Sequence, residues 1–276
     1  LWTRGLFLMV LEPTVMQFAW NFRFSFPLFL IVIWALGCSM VVLSALIYLP
    51  RKVIAAISLV LIFGHNLFDG VSAESLGSFG PLWHLLHVPG FAASNVIVAY
   101  PLIPWIAVMS LGFAAADVFT WEVSARRKFF IQTGTAAIAL FIVLRYFNLY
   151  GNPFPWSAQR SAAMTVASFL NVTKYPPSLM YLLMTLGPAF VALAYLENAR
   201  GAISRFVSVY GKVPMFYYVV HIFVIHSLAA LFAFAQGGHA GFLSLDTGAF
   251  PAWYGTSLPG VYLAWMTVVL ILYVPC

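Results

Sequence analysis

Charge is what this 276-residue chain has least of. Asp, Glu, Lys and Arg make up 7% of it, against 63% hydrophobic residues, where a soluble domain carries about 25% charged residues. So little charge cannot cover a water-facing surface, and the mean hydropathy of +0.97 makes lipid the expected solvent. Cysteine is nearly absent too. Cys38 lies in an apolar run, Cys276 ends the chain, and no Cys-x-x-Cys pair occurs, which excludes a disulfide framework and a thiolate metal centre. There is no Gly-rich phosphate loop, no His-Glu-x-x-His and no Gly-x-Ser-x-Gly, so the motif-borne chemistries of nucleotide, zinc-protease and serine-hydrolase sites have no support. No metal is expected. The net charge of +6 forms no basic stripe with interleaved aromatics, so nucleic acid is not an expected partner. Fixed-period repeats and low-complexity tracts are missing. The chain begins Leu1-Trp2-Thr3-Arg4 without Met, charged leader or cleavage motif, and Cys276 falls within an apolar run. Both ends therefore read as truncations.

What is present is long apolar segments. A spanning helix needs about 20 mostly apolar residues, and eight stretches qualify, at about 4–20, 28–48, 53–69, 96–115, 129–149, 178–197, 213–235 and 258–276. The expected fold is all-α: a polytopic membrane helical bundle forming one domain over 1–276. Glu12-Pro13 breaks the first stretch. Glu12 at membrane depth needs a partner, and Arg4 is two turns away, about 12 Å along the axis, so that partner lies elsewhere. Lys and Arg alternate between the connectors. Arg4, Arg51, Lys52, Arg126, Arg127, Lys128, Arg200, Arg205 and Lys212 fall on one set of ends, and Arg23, Arg145, Arg160 and Lys174 on the other. By the positive-inside bias the first set, and both termini, are expected in the cytoplasm. The connectors 21–27, 70–95, 150–177 and 236–257 then face outward. Within 70–95 the apolar stretch Leu82–Val88, which includes Trp83, His84 and His87, is too short to span and suits the interface or a re-entrant turn. The 236–257 connector is Gly-rich.

The polar residues that remain are candidates for chemistry. His65 and Asp69 are four apart, one face of a helix, so the carboxylate can orient or charge the imidazole at the outer end of the third span. The plain alternative is a wetted helix end with Gly70 as its stop. Tyr217 and His221 repeat the spacing inside the seventh span, where a histidine also serves as interhelical glue; His226 is turned off that face. Arg145 and Asn148 stand near the outer surface beside Tyr146, Tyr150 and Trp156. They either snorkel into an aromatic belt or hold a polar or glycan ligand. The stretch Ser168–Ser178 sets Asn171, Thr173, Lys174, Tyr175 and the Pro176-Pro177 pair at the mouth of the sixth span. Prolines suit a helix start, where missing N–H groups cost little. Asn171-Val172-Thr173 also matches a glycosylation acceptor. Lys174 is the one Lys on the outward side, and the stretch reads as a lip that positions an acceptor.

Several stretches together resemble a known group: Gly64–Gly70, Tyr100–Met109, Leu144–Gly151, Leu170–Ser178, Gly211–His221 and Leu258–Tyr262. They are similar to bacterial membrane proteins related to the lysosomal heparan-alpha-glucosaminide N-acetyltransferase, within the wider transmembrane acyltransferases. The likeness covers most of the chain and is most specific at Lys174–Ser178 and at Gly211–Pro214 with His221. It implies acyl transfer across a membrane, with acetyl-CoA as cytoplasmic donor and a sugar amine or hydroxyl as outer acceptor. The family's catalytic histidine belongs near its first spanning helix, and no residue here is matched to it. The expected catalytic residues are therefore His65, Asp69 and His221. The expected substrate-binding residues are Lys174, Asn171, Tyr175, Ser178, Arg145, Asn148, Tyr217 and Asn66. A histidine acts as base or briefly carries the acetyl group, while the cation and amides hold developing negative charge. Arg126–Lys128 either attracts CoA phosphates or, more plainly, sets topology. The expected surroundings are the lipid bilayer of a bacterial inner membrane, a glycan or amino-sugar acceptor and, at most, a second copy as a homodimer. The alternatives are a multi-pass transporter of a small polar solute and a non-catalytic membrane subunit. A transporter favours paired broken helices, and only one span is broken here. A bare subunit does not explain ionisable groups within and at the ends of spans.

Overall fold

The computed structural model describes residues 1–24, 27–243 and 250–276, so part of the Gly-rich 236–257 connector and of 21–27 lies outside the described residues. Helices dominate, as expected for an all-α chain. The helical stretches Arg51–Phe68, Leu102–Thr120, Val123–Tyr146, Leu179–Leu196 and Pro214–Ala235 are long and apolar enough to cross a membrane. The other three expected spans come out differently. The 28–48 stretch contains α3 (Val32–Leu46), of 15 residues, which rises about 22 Å against a hydrocarbon core of about 30 Å. The last is α12 (Leu258–Tyr273), of 16 residues. In the first, α1 (Trp2–Leu11) gives way to a π turn over Glu12–Met16 and then to α2 (Gln17–Asn21). Pro13 has no N–H to complete an ordinary helical turn, and the wide turn forms where it sits. Glu12 is buried there and has interacting neighbours.

The chain divides into two compact units, Leu1–Val10 with Leu30–Asn198, and Leu11–Phe29 with Ala199–Cys276. The first holds α3, α4 (Arg51–Gly64), α5 (Gly80–Leu86), α6 (Leu102–Ala114), α7 (Val123–Tyr146), α8 (Ala162–Leu170) and α9 (Leu179–Leu196). Ile62 of α4, Ala107 of α6, Phe141 of α7 and Leu179, Met180, Leu182 and Leu183 of α9 form its main core. Helices α7 and α9 touch backbone to backbone: a Cβ on Gly134 would lie 2.7 Å from the Gly187 carbonyl oxygen. Gly5 of α1 and Gly37 of α3 repeat the device, with a Cβ on Gly37 falling 2.7 Å from the Gly5 oxygen. Small residues let helices close on one another where lipid supplies no hydrophobic drive between them.

The connectors of this unit are ordered. The short apolar stretch expected at Leu82–Val88 forms α5, with Pro81 in its first turn, where a missing N–H costs little. A hairpin follows, of strands Gly90–Ala93 and Val96–Val98, and the Ala99 N–H donates to the Leu30 carbonyl at 3.0 Å. The 173–178 segment closes on itself through Ser178 N–H to the Thr173 carbonyl, 3.0 Å, with a cis Tyr175-Pro176 bond. The prolines lie just before the helix, at its entry as expected, and Ser178 is the N-cap of α9, its hydroxyl accepting from Tyr181 N–H.

In the second unit the Gln17 side chain donates to the Pro27 carbonyl and accepts from Phe29 N–H. Helix α10 (Ala202–Lys212) stops at Val213, which the following proline restricts, and α11 (Pro214–Ala235) begins on that proline. Tyr210 hydroxyl donates to the Val269 carbonyl of α12 at 2.6 Å, and Phe206 stacks on Tyr273.

Candidate functional site

Helix α4 runs only to Gly64, and His65–Phe68 winds as a 3-10 turn. The expected stacking of His65 and Asp69 on one α-helical face is therefore not formed, although donor atoms of the two still lie within 4.8 Å of each other. Four residues along an α-helix return to within about 40° of the same face, whereas in a 3-10 turn they end about 120° away. Asp69 also meets a second imidazole. Oδ1 of Asp69 lies 3.4 Å from Nε2 of His87, and Oδ2 accepts from the Asn66 side-chain amide at 2.9 Å.

His87 arrives from the C-terminal end of α5. Its ring packs on Trp83 with centroids 5.0 Å apart, and the Trp83 indole N–H donates to the Val71 carbonyl, fixing that wall. The edge of His87 meets the His65 ring at 5.6 Å and 75°. His65 and His87 are 3% and 1% exposed, yet none of their four ring nitrogens has a hydrogen-bond partner. A buried polar group left unpaired costs about 1–3 kcal/mol, so a fold that keeps two such rings together carries a standing destabilisation. One donor atom from each of His65, Asp69 and His87 can be chosen so that all lie within 4.8 Å of one another.

The cluster is tied to its surroundings by amides. Asn66 Oδ1 accepts the first N–H of α9, from Leu179, at 2.9 Å. Asn152 Oδ1 accepts from Thr173 N–H and from the Ser178 hydroxyl. Tyr150 donates its hydroxyl to the Phe63 carbonyl at 2.6 Å; burial, then the Asp69 carboxylate, push that hydroxyl above the usual tyrosine range. Asn66 and Ser178, expected to touch substrate, are thus engaged in holding the start of α9.

Arg145 is 3% exposed. Nε donates to the Phe169 carbonyl, Nη1 to that of Phe154, and Nη2 to those of Ser168 and Asn171, at 2.8–3.1 Å. A guanidinium has five N–H donors, so one is left for anything else. Instead of snorkelling, Arg145 pins the 150–171 connector to the end of α7. Asn148, at a φ of 49°, exchanges two hydrogen bonds with the Trp156 backbone. A cavity of about 210 Å³ lies against Arg145, Asn148, Tyr150 and Asn152; the histidine cluster does not line it. Asn171 is exposed and contributes its carbonyl to Arg145.

The lip residues form their own group. Lys174 Nζ sits 5.1 Å from the Tyr175 ring centre and 5.9 Å from that of Tyr100, and the two tyrosine hydroxyls are 3.3 Å apart. Burial works against ionising Tyr175, but its hydrogen bonding with Tyr100 and the nearby Lys174 leave its hydroxyl below the usual range. In the second unit His221 stacks on Tyr217 at 5.1 Å and 5°, and its Nδ1 meets the Tyr217 carbonyl at 2.9 Å. A carbonyl only accepts, so Nδ1 carries the proton and Nε2 keeps the lone pair.

His87 is the residue that sequence reading did not single out as a candidate. Its only sequence signal was its place at the end of a short apolar stretch on the same expected side as His65. No protein family matches the chain, and neither a curated protein nor a solved structure proves similar to it.

Proposed function

We propose that this chain is a membrane-embedded acyltransferase that moves an acetyl group from cytoplasmic acetyl-CoA to a sugar amine or hydroxyl on the outer face, through a bundle of eight spans. One observation carries the reading: two buried imidazoles without hydrogen-bond partners face a carboxylate at the end of an apolar helix. Ionisable groups at membrane depth are kept for function. The resemblance of Gly64–Gly70, Lys174–Ser178 and Gly211–His221 to the N-acetyltransferases related to the heparan-alpha-glucosaminide enzyme gives that chemistry its direction.

On this reading His65 takes a proton from the acceptor as its nitrogen or oxygen bonds to the acetyl carbon. The carbon–sulfur bond of acetyl-CoA breaks, and the proton returns to the CoA thiolate. Asp69, beside His87, supplies the negative charge that steadies a protonated imidazole. His221, with its tautomer set by the Tyr217 carbonyl, is the second base. Lys174 and Tyr175 form the acceptor lip, and Arg145 and Asn148 shape the wall behind it.

The test uses the purified full chain in lipid nanodiscs, with radiolabelled acetyl-CoA and glucosamine as probe acceptor. Labelled N-acetylglucosamine is expected, falling more than about tenfold in His65→Ala, Asp69→Asn and His221→Ala. No labelled product and no CoA binding in folded protein would sink the reading.

A further inference from the structure

A single base needs one imidazole, and the end of α4 holds two. Both are almost fully buried, both lack hydrogen-bond partners at every ring nitrogen, and a carboxylate stands between them and the start of α9. We infer that His65, Asp69 and His87 form a three-ligand site for a divalent transition metal ion, with zinc the best match. Zinc takes imidazole nitrogen and carboxylate oxygen at about 2.0–2.2 Å in a tetrahedral shell, so two of its ligands stand roughly 3.3 Å apart. The Asp69–His87 pair already does, at 3.4 Å. No separation in the set exceeds 4.8 Å, so drawing the three donors around one ion takes shifts of at most about 1.5 Å.

Asp69 is prepared for the role. Its Oδ2 is held by Asn66, whose own oxygen is anchored on Leu179 N–H, which leaves Oδ1 directed at His87. Such outer hydrogen bonds orient metal-binding carboxylates. Calcium and magnesium prefer oxygen ligands, whereas two nitrogens and one oxygen suit zinc, cobalt or iron. Three protein ligands leave a fourth position open. An ion there holds the His65 lone pair that the acyl-transfer reading gives to the base, so zinc is expected to inhibit transfer. That consequence rests on the proposed function; the binding does not.

The experiment uses tag-free full-length chain in detergent, stripped with a chelator and titrated with cobalt(II), reading bound metal by atomic emission and the visible absorption bands of cobalt. About one cobalt per chain is expected, displaced by zinc, with affinity falling more than about 100-fold in each of His65→Ala, Asp69→Asn and His87→Ala, beyond the loss of about 10- to 100-fold that follows removal of a residue which only orients a ligand. The neighbouring His84→Ala is expected to bind like the parent. Circular dichroism checks that each variant is folded. Binding that all three ligand substitutions leave unchanged, or no binding by the folded parent at roughly 100 µM cobalt, overturns the site. Cobalt binding without acetyl transfer supports the site and removes the acyltransferase reading; transfer without cobalt binding does the reverse.

Discussion

Arg145 and the His65–His87 pair are buried to the same depth in the same unit, and their surroundings treat them in opposite ways. The guanidinium is met by four backbone carbonyls. The imidazoles are met by ring faces, one carboxylate oxygen and no hydrogen-bond acceptor or donor in bonding geometry. A buried polar group that the fold fully satisfies is there to hold the fold. One that the fold leaves wanting is held in place by something else and is available to a ligand. By that criterion Arg145 is tied into the fold through four of its five donors, while His87, which sequence reading did not single out, is left open to the proposed ligand.

The largest effect expected from testing this contrast is at Arg145. Arg145→Met removes every donor to the carbonyls of Phe154, Ser168, Phe169 and Asn171, and is expected to destabilise the protein by about 3–5 kcal/mol in a denaturant titration in micelles. Arg145→Lys restores only part, because a point charge cannot span four acceptors set out for a planar fork. A loss below about 0.5 kcal/mol for the Met variant, the range of an ordinary surface change, would mean that the clamp contributes nothing.

Asn66 stands between the two cases, since it belongs to the scaffold through Leu179 and to the cluster through Asp69. Asn66→Ala is expected to cost about 3 kcal/mol, one neutral hydrogen bond and one to a carboxylate. The same variant is expected to weaken cobalt binding about tenfold by freeing Asp69 to rotate. Asn66→Asp keeps the acceptor for Leu179 and loses the donor to Asp69, so it separates the two roles. If cobalt affinity survives in Asn66→Asp, Asn66 has no part in orienting the carboxylate.

The helical character of the chain was legible because it rests on composition and apolar run length, which need no tertiary knowledge. So was the placing of His65 and Asp69 at the end of an apolar helix. How the two face each other was not. It depended on whether His65–Phe68 wound as an α- or a 3-10 turn, a difference of a few tens of degrees per residue that hydropathy does not register. The second imidazole came from 22 positions beyond His65, brought back by α5 and the hairpin behind it. The part Arg145 takes in the fold was not legible for a related reason. A lone Arg near a span end reads as snorkelling because its usual acceptor is water, and only the folded connector revealed four carbonyls turned inward to meet it. Ser178 shows the opposite case: a Ser ahead of an apolar run is a capping signal in sequence alone, and expecting it as a substrate contact passed that signal over.

The smallest effect on stability is expected at the cluster itself, and it is the sharpest test of the contrast. His65→Leu replaces a ring whose nitrogens have no partners with an apolar side chain of similar depth. Removing unpaired buried polar atoms in favour of apolar ones is close to neutral or mildly stabilising, within about 1 kcal/mol. The same change removes a metal ligand and the proposed base, so acetyl transfer and cobalt binding are expected to disappear from a protein that unfolds at the parental denaturant concentration. Stability kept while function is lost is what separates a site from a scaffold, and Arg145→Met is expected to do the reverse, unfolding the connector before any ligand is met. A loss above about 2 kcal/mol for His65→Leu, measured in the metal-free protein, would put the histidine in the same class as Arg145 and leave the cluster a packing element.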